Sequence, residues 1–474
     1  MSAKRFLALA LSLTLMAPLA VACGSKSGSK GFDIQAVKNV KLDPNVKDTL
    51  KVWDYPNGSD FEQFRKDQIA AFQKKYPNVK VDLEILTWND GPQKMDVALN
   101  AGDPPDVYFQ TAQTKFMDSG LAVPLEDFYT AEDKADFTKA SMDLSTYKGH
   151  IWEFGMWNSM QCLAGNRPVL EKAGIDWRSI QQNGWTWDQF TDITKKLTQA
   201  DNGAGKKQFG FITYGNSEIV TQMFKNAGLP YEFSDDGKFL WTGEKAVAAA
   251  QFLRNLVDQG ILPKEIASID AKKMTDMYNN WEAPIFGRVG PYAITERETN
   301  KKKVESGQLT PPPQGLVDPV LLPWPHKAGE KEVPITGGAG LYVFRQKNYK
   351  GDVHTRLAIE LAHFLTSGEG GPDLDGGLPA AKLLILPARK SSAKYFDEYA
   401  NKLNMGAENI AFLKHEIEIA VPPKFYSPEI NKAADKIFTD VITPSVQAFW
   451  ANEITPQQFV DRLTQGANQI LGAK

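Results

Sequence analysis

Val79, Val81, Leu83 and Ile85 alternate with Lys80, Asp82, Glu84 and Leu86, a period of two that predicts a half-buried strand. Ahead of it, Phe61, Phe64, Ile69 and Phe72 fall on one face of a helix that Ser59 or Asp60 can cap and Tyr76-Pro77-Asn78 ends. Residues 50–55 read as a short strand before that helix. A second helix near 93–100 leads through Gly102-Asp103-Pro104-Pro105 into a strand at 106–109. This alternation of strand and helix predicts an α/β sheet. Further on, Thr186-Trp187-Asp188-Gln189 is a capping box opening a helix to about 198, because hydroxyl and amide can each satisfy an orphan helix N–H. Residues 244–258 place Val247, Ala250, Leu253 and Val257 on one helical face. Asp235-Asp236-Gly237 reads as a turn, and Pro311-Pro312-Pro313 breaks any regular element. Thr455-Pro456-Gln457-Gln458 opens a last helix with a cap, a Pro at the first helical position and Gln at the third. No internal repeat is visible.

The N-terminus follows a different pattern. Lys4 and Arg5 precede an apolar stretch at 6–15, and Leu19-Ala20-Val21-Ala22 supplies small residues before Cys23. The stretch is shorter than the roughly 20 residues a membrane span needs, so residues 1–22 read as a cleavable export signal. A Cys at the cleavage point resembles the lipobox of bacterial lipoproteins, although Ala20 stands where Leu is usual and Leu19 is one place early. Cys23 is therefore the expected lipidation site, and residues 23–48, beginning Gly24-Ser25-Lys26-Ser27-Gly28, a flexible tether. The chain would then be exported and lipid-anchored outside the cytoplasmic membrane.

At 474 residues the chain has room for two to three domain-sized units. Losing residues 1–22 removes Lys4 and Arg5 and moves the formal charge from −3 to −5. That balance lacks the basic footprint of a nucleic-acid binder. With Cys23 lipidated, Cys162 has no partner, so stability rests on the core rather than on a disulfide. The 11 Trp and 14 Tyr supply core mass, but also rings that can stack on a ligand.

Several segments, in order, resemble the extracellular solute-binding proteins of ABC transporters, in the large family that mostly carries sugars. They are "LKVWDYPNGSD…IAAFQKKYPNVKVDLEIL", "QKMDVALNAGDPPDVYF", "YKGHIWEFGMW", "GNRPVLEKAGID", "WTWDQFTDITKKLT", "GRVGPYA", "LPWPHKAGEKEVPITGGAGLYVF", "AIELAHFLTS" and "LPARKS". Each is weak alone; order and spacing carry the match, from about Thr49 onward. Gly165-Asn166 departs from the family's usual Tyr-Asn. The resemblance implies an α/β fold of two lobes with a hinge and a ligand cleft between them. Lobe one would take residues 49–155 and 325–388, and lobe two 156–324 and 389–474. It also implies a sugar or oligosaccharide ligand, a membrane permease as partner, a monomer, and no cofactor.

A sugar site needs aromatic faces for the C–H faces of pyranose rings and polar groups for the hydroxyls. In open α/β sheets the ligand lies beyond the carboxyl ends of strands. The first such loop holds Trp53, Asp54, Tyr55 and Asn57; the loop after Phe109 holds Gln110, Thr111 and Gln113; the crossing segment holds Trp157, Asn158 and Ser159. Family position adds Arg288, Tyr292, Gly338 and Tyr426. Trp185, Trp187 and Trp241 read instead as packing residues.

Other chemistries lack their signatures. There is no GxxxxGK[ST] loop, no HExxH and no GxSxG. "GGAGLYV" has Val343 where GxGxxG needs Gly, and the Asp373-Leu374-Asp375-Gly376 run has Leu384 where an EF-hand needs Glu. The five His are scattered, so no metal site is expected. Two other classes stay open at this point: a surface sensor or adhesion protein on the same fold, and a secreted carbohydrate-active enzyme with two carboxylates across a sugar bond.

Overall fold

The computed structural model describes residues 31–472 except 59, 89 and 422. The signal segment and Cys23 lie outside these residues. Eight strands share one sheet: β1 (Asp48–Asp54), β2 (Val79–Ile85), β3 (Val107–Thr111), β4 (Glu153–Asn166), β5 (Ile285–Val289), β6 (Pro319–Leu322), β7 (Ile335–Val343) and β8 (Leu386–Pro387). The path runs β8-β4-β7-β3-β1-β2, and β5 and β6 also pair with β4. β1 is parallel to β2 and β3, as βαβ units require. β7 returns antiparallel between β3 and β4.

The patterned elements form as read. β2 has Lys80, Asp82 and Glu84 exposed and Val81, Leu83 and Ile85 half-buried, as suits an edge strand. The helix Phe61–Lys75 buries Phe61, Phe64, Ile69 and Phe72. Both capping boxes are made: Thr186 with Gln189, and Thr455 with Gln458. Asp60 is the N-cap residue of the helix at Phe61, but its carboxylate pairs with Lys382 rather than capping. Trp185, Trp187 and Trp241 are buried packing residues.

Two hydrophobic cores form, one per lobe, and β4 belongs to both. Phe154, Met156 and Trp157 pack in the first, Met160, Cys162, Leu163 and Ala164 in the second. The first crossing therefore falls after Trp157, later than the expected boundary at 155. The return also comes later than residue 325. Trp324 packs in the second core, the His326 N–H bonds the Trp185 carbonyl, and the Val333 N–H bonds Asn226. The chain re-enters along β7, where Ile335 to Gly338 run beside Gln161 to Asn158. A third passage lies near 378–388, with Ala380 and Ala388 in the first core and Leu378, Ala381 and Leu384 in the second.

The tether is shorter than expected. By Asp33 the chain is folded: Asp33 caps the helix Ile34–Lys38, Val37 is fully buried, and Lys38 pairs with Asp127 at 2.7 Å. Three apolar residues, Phe32, Ile34 and Val37, anchor this segment to the first core, a spacing too sparse to stand out in a Lys-rich stretch. Among the described residues no helix is long and apolar enough to cross a membrane.

Candidate functional site

At the carboxyl end of β1 the chain turns through Tyr55-Pro56-Asn57, and at the end of β2 through Leu86-Thr87-Trp88. These loops meet. The Trp88 ring stacks on Tyr55 with centroids 4.2 Å apart and planes at 17°, and its indole N–H points to the Pro56 carbonyl at 3.4 Å. Tyr55 is fully buried, whereas Trp88 keeps 47% of its surface in solvent. The Tyr55 hydroxyl bonds that of Tyr108 at 2.8 Å, and burial together with Tyr108 keeps the Tyr55 phenol neutral far above its ordinary range. Gly91 is fixed by this packing, because a Cβ there would sit 2.6 Å from the Tyr55 ring. The aromatic run continues through Phe109, 6.4 Å from Trp88, to Trp157, 5.0 Å from Phe109 on the crossing strand. Trp88 is thus held on one side and open on the other. Sequence reading missed it: a single Trp in a polar loop shows no periodicity, and its partner lies far back in the chain.

Polar groups border these rings. Gln110 accepts the Thr111 N–H at 2.9 Å and donates to the Tyr108 hydroxyl at 3.3 Å, and the Gln113 amide reaches the Thr111 hydroxyl at 3.4 Å. Among the described residues, the Asn57 Nδ2 is buried without a partner, as is the Gln161 Oε1. Pairing along β7 places Gln161 on the same sheet face as Trp157 and Ser159. Unpaired buried donors and acceptors cost free energy until a water or ligand hydroxyl supplies the bond.

The second lobe contributes the carboxyl end of β5, where Gly290 lies against the Met160 carbonyl at the crossing. Arg288 pairs with Glu218 and donates to the Tyr214 hydroxyl at 3.2 Å. The same Glu218 oxygen accepts from Tyr214 and Asn216, each at 2.8 Å. Burial pulls the Arg288 pKa down, and its Nε has no partner among the described residues. Tyr292 is 45% exposed, with its hydroxyl 3.2 Å from that of Thr275.

Other sequence candidates are placed differently. Asp54 is fully buried and gives one oxygen to Arg65 at 2.8 Å and the other to the Tyr55 N–H. Trp53 is covered by the Lys94 ammonium at 4.4 Å, which Glu84 holds. Tyr426 is buried with its hydroxyl near the Phe233 backbone. Asn158 and Gly338 face the opposite side of the crossing strands from Trp157. Asn158 donates to Thr138, and a Cβ on Gly338 would strike Leu144. Alternation explains this: neighbours on a strand point to opposite faces, so Trp157 and Asn158 cannot share one. Among the described residues no His, Cys, Asp and Glu cluster could hold a metal.

Comparison with known proteins agrees with this architecture. The family model for bacterial extracellular solute-binding proteins matches residues 55–372. A binding protein of Brucella abortus (strain 2308) is 22% identical over 285 residues, 59% of this chain and 64% of that one, so the match spans under two thirds of that relative. The arabinooligosaccharide-binding protein of Bacillus subtilis (strain 168) is 22% identical over 420 residues, covering 85% of this chain and 88% of that one. Among solved structures, the maltose/maltodextrin-binding domain of Bdellovibrio bacteriovorus bound to maltotriose superposes with a TM-score of 0.65 at 17% identity. It covers 90% of this chain and 100% of that one, which establishes the shared fold.

Proposed function

The chain belongs to the bacterial extracellular solute-binding proteins, and on that premise we propose that it captures an oligosaccharide between its lobes and delivers it to the membrane permease of an ABC importer. The family consists of binding proteins, not enzymes. The observation that carries the sugar assignment is the aromatic run Trp88, Tyr55, Phe109 and Trp157, with a half-exposed Trp ring pinned from below. A pyranose C–H face buries against such a ring while orphaned groups such as Asn57 and Gln161 meet its hydroxyls. A relative named for binding arabinooligosaccharides, and a protein of the same fold bound to maltotriose, support this reading. Contacts made with both lobes only in the closed state would drive hinge closure. Lipidation of Cys23 would hold the protein beside its permease.

Trp88→Ala should weaken oligosaccharide binding by about 1.5–3 kcal/mol, or roughly 10- to 150-fold. Calorimetric titration with arabino- and maltooligosaccharides measures this, and the melting temperature of the free protein should hardly move because the ring is half-exposed. An unchanged affinity would remove Trp88 from the site.

The site also carries a charge preference. Glu218 balances Arg288, so the second-lobe wall presents donors without net positive charge, which suits a neutral sugar. Glu218→Gln should improve binding of a uronate-bearing oligosaccharide relative to its neutral counterpart by about tenfold. A variant that leaves that ratio unchanged would place Arg288 outside the contact surface.

A further inference from the structure

We infer that the reverse face of the crossing strands holds a second small-molecule site, for a zwitterion with an apolar body and a hydrogen-bond donor. A cavity of about 520 Å³ opens there, a size ordinary for small-ligand pockets. One wall is the helix Lys139–Ser145, packed on the first lobe; the other is the helix Ala407–Ile419 of the second. Asn158 and Thr336 form the floor. Because side chains alternate along β4 and β7, this floor faces away from Trp157, Ser159 and Gln161. The cavity is therefore separate from the sugar cleft.

The chemistry of its lining selects the occupant. Leu144, Leu386 and Ile417 give it an apolar interior. Asn158, only 3% exposed, donates its amide to the Thr138 hydroxyl at 2.9 Å, and its Oδ1 is buried without a partner among the described residues. That acceptor requires a donor from whatever fills the cavity. At the rim, Lys139 pairs with Asp143 and Lys414 with Asp397. Among the described residues, Lys390 donates to the Ala135 carbonyl and has no ion pair, and Glu418 has none either. One unpaired cation and one unpaired anion at the same rim complement an ammonium and a carboxylate together. An amino acid with a large side chain bearing an N–H fits these terms. Since the occupant touches helices of both lobes, it favours the lobe arrangement that preserves their spacing. Linkage then requires that it change sugar affinity, and that sugar change its own affinity by the same factor.

The probe is L-tryptophan, titrated into the exported protein lacking residues 1–30 and followed by ligand-observed NMR and calorimetry. Saturable binding with Kd below about 1 mM is expected. It should weaken at least tenfold in Leu144→Trp and in Ile417→Trp, which fill the cavity from opposite walls, and at least threefold for tryptamine or N-acetyltryptophan, which each lack one charge. It should survive Trp88→Ala. Circular dichroism melting checks that the variants fold. No saturation, wild-type affinity in both filled variants, or loss of tryptophan binding in Trp88→Ala would overturn the site. The last outcome would move the amino acid into the sugar cleft.

Discussion

Arg65→Met should destabilise the protein by about 3–5 kcal/mol, because it strands Asp54 as a buried charge with its partner gone. Both side chains are fully buried. Arg65 donates from Nε to Asp54, and from Nη1 to Gln68 at 2.7 Å and the Leu365 carbonyl at 3.2 Å. Gln68 in turn donates to the carbonyls of Leu365 and Leu374. The cluster ties β1, the helix Phe61–Lys75 and the end of the helix Asp352–Thr366 together beneath the aromatic platform. Burial raises the Asp54 pKa against the pull of Arg65, so the carboxyl is a costly group without its counter-ion. Asp54→Asn/Arg65→Met, which removes both charges, should recover much of the loss. Urea denaturation measures both. Sugar affinity of the folded fraction should stay within about threefold in the double variant, since Asp54 faces Arg65 and not solvent. A large affinity loss with intact stability would return Asp54 to the ligand site.

Glu153→Gln should stabilise the protein increasingly as pH rises. Glu153 is 1% exposed at the start of β4; its Oε1 meets only the Ser145 hydroxyl at 3.3 Å, and its Oε2 has no partner among the described residues. Burial pushes its pKa up to about 8, and the bond from Ser145 opposes that only weakly. The neighbouring phenols of Tyr129 and Tyr342 are themselves held neutral by burial. The folded state therefore keeps this proton over a range where the unfolded chain, titrating near 4.5, has lost it. Stability from this group is fully present below about pH 4.5, falls as pH rises, and levels off above about 8. The total loss is on the order of 3–5 kcal/mol. Glutamine carries no such proton, so the stability difference between variant and wild type should grow between pH 5 and pH 9. Other groups shift both proteins alike: His363, raised to about 9 by Asp133 and Glu369 despite its burial, also loses stability with rising pH. A difference that stays flat across this range would mean Glu153 is not a buried neutral acid.

The sequence carried the scaffold further than the site, for reasons visible in single residues. The alternation of Val79 to Ile85 and both capping boxes are local physics, and the elements they predict are present. The motif order implied the two-lobed α/β fold that the family match and superposition support. Site residues depend on partners far away in the chain. Asp54 reads as a cleft carboxylate at a strand end, but Arg65 sits on the buried face of the next helix beside Phe61, Phe64 and Phe72. An Arg on an apolar stripe was the available signal for a buried pair. Trp157 and Asn158 read as one group because they are adjacent, although a strand divides them between two faces. Trp88 had no local pattern at all; only the meeting of two loops gives it a platform.

Calorimetric titration of the protein lacking residues 1–30 with neutral arabino- and maltooligosaccharides, with chromatography of the recovered ligand, tests the central claim most directly. Saturable one-to-one binding of at least one series, with the sugar recovered intact and affinity lost in Trp88→Ala and Trp157→Ala, is the predicted result. Cleaved product, absence of binding across both series, or binding indifferent to both substitutions would contradict it.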